Sequence, residues 1–115
     1  MSKPRPNAQR FLTNPAERIN TSAKRRAKRK NIEYELDADW VRERIDGGHC
    51  EVTKIPFALQ TGSPWIPSID RIDSDKGYTK SNSRLVVWAF NRARGPQSDD
   101  VMLRLARAIV AAHPH

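Results

Sequence analysis

The stretch from Ile66 to Asn91 constrains the fold more than any other part of the chain. Ile66 to Ile72 reads as a strand after Pro64 and Pro67, but Asp70 and Asp73 interrupt its apolar character. Carboxylates in such a segment cost free energy unless they meet cations or a metal ion. Lys76-Gly77-Tyr78 to Asn82 reads as a loop, Arg84 to Val87 as a second strand, and Trp88 to Arg94 as a helix stopped by Gly95-Pro96. Asn82 and Asn91 then fold back from the second strand and the helix as neutral oxygen donors. Asp and Asn oxygens suit Mg2+, which takes one or two protein carboxylates and keeps several waters.

The charge points to a polyanionic partner. There are 21 Lys and Arg against 13 Asp and Glu, a net charge of +8. The excess is N-terminal: residues 1–36 hold ten Lys and Arg and three Glu. It is densest at Lys24, Arg25, Arg26, Lys28, Arg29 and Lys30, the positions expected to supply sequence-independent contacts to phosphates. Nucleic acid is favoured over a membrane surface, because no run approaches the roughly 20 apolar residues of a span. The start, Met1-Ser2-Lys3-Pro4-Arg5-Pro6, lacks the apolar region of a signal peptide. A single cysteine, Cys50, excludes an internal disulfide and any zinc site built on two or four cysteines, and a reducing cytoplasm is the expected setting.

Around the central stretch, residues 1–14 read as a flexible arm and 15–36 as a basic helical DNA-binding extension. Asn14 is a candidate cap, and Pro15 suits the first helical position. The main domain is expected over 37–115. A helix is predicted over Ala38 to Asp46, capped by Asp37 and ended by Gly47-Gly48, and Cys50 to Thr53 is a short strand candidate. A last helix, capped by Ser98 with Asp99 and Asp100 at its positive end, carries Val101, Leu105, Ile109 and Ala112 on one face and is expected to pack into the core. Trp40, Trp65 and Trp88 are read as core residues in preference to base-stacking platforms. The fold class is α+β.

The segment Asp70-Arg71-Ile72-Asp73, Gly77-Tyr78, Asn82 and Asn91-Arg92 resembles the HNH, or ββα-metal, nuclease motif. More narrowly, Cys50-x-x-Thr53, the Asp-Arg-Ile-Asp strand, the Lys-Gly-Tyr loop and the terminal Asn-Arg are similar to small phage-encoded HNH-like proteins, over about residues 35–95. The resemblance implies a ββα-metal hairpin and helix core with flanking helices and a basic arm. It implies that Asp70 and Asn91 bind Mg2+ or Mn2+, that Asn82 fixes the loop, and that DNA phosphodiesters are the substrate. It also suggests a bacterial host cytoplasm if the chain is phage-encoded.

Two departures stand out. Val87 and Phe90 occupy positions where many relatives place zinc-binding cysteines, so no structural zinc is expected and a hydrophobic cluster must serve instead. Arg71 stands at the position of the general-base His, and a guanidinium cannot accept a proton. Another base is then required, or the chain has kept binding and lost catalysis. His49 is one candidate base, with capping of a helix C-terminus as its alternative role. Asp73 is a candidate second metal ligand or base, with an ion pair to Arg71 or Arg84 as its alternative. Arg71, Arg84 and Arg92 are expected to grip phosphates. The oligomeric state, monomer or homodimer, stays open at this point.

Overall fold

The structure, a computed structural model, describes residues 11–114. In chain order it contains helix α1 (Pro15–Arg29), helix α2 (Ala38–Asp46), strand β1 (Pro67–Arg71), a 3-10 turn (Lys80–Asn82), strand β2 (Ser83–Val87), helix α3 (Trp88–Arg94) and helix α4 (Asp99–Ala112). This is an α+β arrangement around one antiparallel hairpin of β1 and β2. The arm predicted over residues 1–14 falls mostly outside the described residues. At its near end, the Leu12 amide donates to the Leu59 carbonyl at 2.6 Å.

Local chemistry explains the helix limits. Pro15 opens α1, but Asn14 lies in the left-handed region (φ 49°) and makes no side-chain cap. At the other end Asn31 adopts φ 55°, and the amides of Asn31 and Ile32 donate to the carbonyls of Lys28 and Ala27. This closes α1 with a Schellman motif, in which Asn takes the left-handed position usually held by Gly. Asp37 caps α2 by accepting the Trp40 amide at 2.8 Å, as its sequence position predicts.

Three alanines of α1, Ala16, Ala23 and Ala27, are buried. Their small side chains let the helix pack close to α2, and they share a core cluster with Leu36, Trp40, Val41, Ile69, Tyr78 and Leu85. The basic helix is therefore joined to the hairpin through a common core. A second cluster holds Cys50, Val86, Val87 and Phe90, with Met102 packed on it. Val87 and Phe90 are thus parts of an apolar cluster.

Three expectations are corrected. Cys50 to Thr53 forms a turn: the Cys50 and Lys54 amides close it on the Ile55 and Cys50 carbonyls, and Glu51 ties it to Leu85 of β2. β1 ends at Arg71, so Asp73 lies in the following loop and not in the apolar strand that it was expected to interrupt. None of the residues of α4 is buried, and Val101, Leu105 and Ile109 are each about half exposed. Ser98 does cap this helix through the Val101 amide. The helix reaches the core only through Met102, because it follows α3 at the edge of the molecule and no further layer covers its outer side.

Candidate functional site

The hairpin register places Asp70 opposite Arg84 and Ile69 opposite Leu85. Alternation along β1 turns Ile69 into the core and Asp70 to the other side, toward α3 and the start of α4. There the Asp70 carboxylate, 2% exposed, accepts from Arg84 Nε at 2.8 Å and from Arg94 Nη2 at 2.5 Å. Arg84 continues to Asp99 with a two-pronged contact at 2.9 and 2.7 Å. Arg94, itself 3% exposed, also donates to the carbonyls of Arg71 and Gln97, both at 2.6 Å. Two carboxylates and two guanidinium groups thus form a charge-balanced network below the strand. Arg84, expected on phosphate, is used inside the protein. Neither Arg94, which meets Asp70, nor Asp99, which shares Arg84 with it, was singled out from sequence for this network, since their separations of 24 and 29 residues from Asp70 carry no periodic signal.

Asn91 sits one turn into α3, where its Nδ2 donates to Ser68 Oγ at 2.8 Å and to the Ile69 carbonyl at 3.2 Å. These bonds hold it against the strand next to Asp70. Asn82 is 8% exposed and binds both sides of the connecting loop: its Oδ1 accepts the Asp73 amide, and its Nδ2 donates to the carbonyls of Asp73 and Gly77. Every polar end of the amide is used, and the loop between the strands is pinned.

Two contiguous hollows, of ≈520 and ≈580 Å3, lie between α1 and the hairpin–helix unit. Arg26, Ser68, Ile69 and Trp88 line both, so they form one cleft. Lys30, Arg71 and Arg92 line its first part, and Arg18 and Arg25 its second. Arg25, Arg26 and Lys30 of the basic run therefore face the cleft, whereas Lys24, Lys28 and Arg29 line neither hollow. Arg18 was not singled out, although its spacing of seven from Arg25 puts both on one side of a helix.

With this geometry established, the structure is similar to that of the rare-cutting HNH restriction endonuclease PacI, with a TM-score of 0.64. The match covers 96% of this chain and 95% of that chain at 18% sequence identity. The chain has an HNH-like fold. No family model and no curated protein matches the sequence.

Within the HNH-like frame, the remaining candidates separate. Arg71 Nη1 donates to the carbonyls of Ser74 and Lys76 at 2.8 and 3.0 Å, while its guanidinium lies 5.2 Å from the Tyr78 ring centre. It borders the cleft as a fixed cation. His49 lines neither hollow and has Nδ1 3.2 Å from the Gly47 carbonyl at the end of α2. This is the helix-capping alternative, and it corrects the expectation that His49 serves the site. Asp73 accepts the Asp75 amide at 2.9 Å and faces Lys76 at 4.0 Å. It lines neither hollow, which corrects its assignment as a ligand or base. Among the described residues, no three His, Cys, Asp or Glu side chains gather into a set that could hold a metal ion. As folded, the donors do not fit a divalent cation: Asp70 has both oxygens on guanidinium groups, and a second positive ion there would face Arg84 and Arg94 directly.

The network leaves a trace in the acid–base chemistry. Hydrogen bonds from Arg84, with the charges of Arg84 and Arg94, hold Asp99 below the usual carboxylate range against the opposing effect of burial. Asp99 and Asp70 in turn push Arg84 above the ordinary guanidinium value, again against burial. Because the folded value of Asp99 is depressed, its contribution to stability is complete above the unfolded carboxylate value of about 3.9 and is lost as pH falls through the lower folded value. The urea midpoint is expected to fall as pH drops below about 4, and Asp99→Asn to flatten part of that fall. An identical pH profile in the variant would remove Asp99 from the network.

Proposed function

We propose that this HNH-like chain binds the phosphodiester backbone of DNA in the cleft between α1 and the hairpin–helix unit. The observation that carries this reading is the convergence of Arg18, Arg25, Arg26, Lys30, Arg71 and Arg92 on one continuous cleft. The acidic groups at the same surface are neutralised: Asp70 lies between Arg84 and Arg94, and Glu17 is paired with Arg42. A cleft with cations left over attracts a polyanion and releases its counterions on binding. No helix among the described residues is long and apolar enough to cross a membrane.

Phosphodiester hydrolysis is the second reading. It is favoured by the seating of Asp70 beside Asn91 under the cleft and by the fold shared with an HNH restriction endonuclease. It requires Arg84 and Arg94 to release Asp70 so that Asp70 and Asn91 can take up Mg2+ or Mn2+.

One experiment separates the two. Labelled DNA is titrated with protein at several salt concentrations, with EDTA or with Mg2+ or Mn2+, and supercoiled plasmid is incubated in parallel. The binding reading expects affinity that falls steeply with salt, is the same in EDTA, and leaves the plasmid intact. Nicking that requires the metal and stops in EDTA establishes hydrolysis. Absence of salt-dependent affinity in every condition would overturn the binding reading.

A further inference from the structure

Trp88 is the cleft residue that backbone binding does not explain. It was read from sequence as a core residue, but it is 46% exposed, and its place is fixed at the first turn of α3, where its amide donates to the Ile66 carbonyl at 2.8 Å. The helical spacing of Trp88, Asn91 and Arg92 puts all three on the side of α3 that borders the cleft, while Phe90 and Arg94 are buried. Trp88 lines both hollows, and so does Arg26. An indole stands where the two halves of a cationic cleft meet.

Phosphates gain nothing from an indole face. A nucleobase does, because every base has a π surface that stacks on an aromatic ring, while cations on either side follow the backbone. In an intact duplex both faces of a base are already stacked on neighbours. An unpaired base has a face to offer, and hollows of ≈520 and ≈580 Å3 are in the size range of sites that enclose a small organic group. We infer that Trp88 stacks an unpaired nucleobase, so that the cleft prefers single-stranded DNA, or a duplex containing an unpaired base, to an intact duplex. This rests on the reading of the cleft as a DNA backbone site. Arg26 and Lys30 would hold the phosphate on one side of the stacked base, and Arg18 and Arg25 the phosphate on the other.

The test uses the full chain carrying Trp65→Phe, which leaves Trp88 as the exposed indole, since Trp40 is buried. Its fluorescence and its affinity are measured with one sequence in three forms: single-stranded, fully paired, and paired with one mismatch. Quenching by the single-stranded and mismatched forms is expected, with binding roughly tenfold to a hundredfold tighter than to the intact duplex. Trp88→Ala is expected to bring that ratio close to one, and Trp88→Phe to keep most of it because a phenyl ring still stacks. Circular dichroism of both variants checks the fold. A ratio near one in the parent protein, or an unchanged ratio in Trp88→Ala, overturns the stacking role while backbone binding stands. If the parent protein binds none of the three forms, the backbone reading itself has failed and the stacking role falls with it.

Discussion

Asp70→Ala is expected to destabilise the protein by about 3–5 kcal/mol, a large share of the roughly 5–15 kcal/mol that holds a typical domain together. The reason is the guanidinium of Arg94. It is 3% exposed and meets Asp70 at 2.5 Å, and its Nε is buried without a hydrogen-bond partner. Removing the carboxylate leaves that cation in a low-dielectric place with carbonyl oxygens and the more distant Asp99, 3.9 Å from its Nε, to hold it. Arg84 loses one of its two carboxylates but keeps Asp99, so most of the cost falls on Arg94. Urea unfolding at neutral pH measures the effect as a lower midpoint with an unchanged slope. Asp70→Asn keeps the shape and removes the charge, and it too is expected to destabilise. A change below about 1 kcal/mol in both variants would mean that Asp70 does not anchor the network. A carboxylate held in place only to receive a cation would behave oppositely, since its loss relieves repulsion or leaves stability unchanged.

Replacing Arg26 and Lys30 together by Gln is expected to weaken DNA binding roughly fifty-fold at about 0.1 M salt and to lower the slope of log K against log salt by nearly two. Each neutralised phosphate contributes a slope of about 0.9, so two lost contacts account for both figures. The two residues stand one turn apart along the basic run and line the same hollow as Asn91 and Arg92. Lys24→Gln with Lys28→Gln makes the control, because it removes the same charge from positions that line neither hollow. Equal effects from the two pairs would mean that the charge of the helix acts as a diffuse field and that the cleft is not the site. Thermal unfolding is expected to stay near the parent value for both pairs, since the buried side of α1 is formed by Ala16, Ala23 and Ala27.

Much of the fold was legible because its signals are local. Asp37 and Ser98 cap the helices that their positions predict. The β-branched run before Trp88 forms β2, and Asn82 sits at the loop that its side chain then closes. The HNH-like hairpin and helix, and the seating of Asn91 against Ser68 and Ile69 of β1, follow from this order of elements. Other residues were misread because their surroundings come from distant parts of the chain. Val101, Leu105 and Ile109 have a core-like pattern, but the pattern shows only which side of α4 is apolar, and at the edge of the molecule nothing covers it. His49 has the acid–base properties of a catalytic group, but Gly47 and Gly48 turn the chain at the end of α2, away from the cleft.

By itself the sequence determined the surplus of positive charge, which is composition alone, and the hairpin, the helices and the caps of α2 and α4, which depend on neighbours close in the chain. Only the tertiary structure decided what Asp70 touches, which cations of α1 face the cleft, and that Trp88 stands open within it. Those outcomes depend on the packing of α1 and α4 against the hairpin, and charge pairs across such contacts form between residues whose spacing in the chain carries no trace of them.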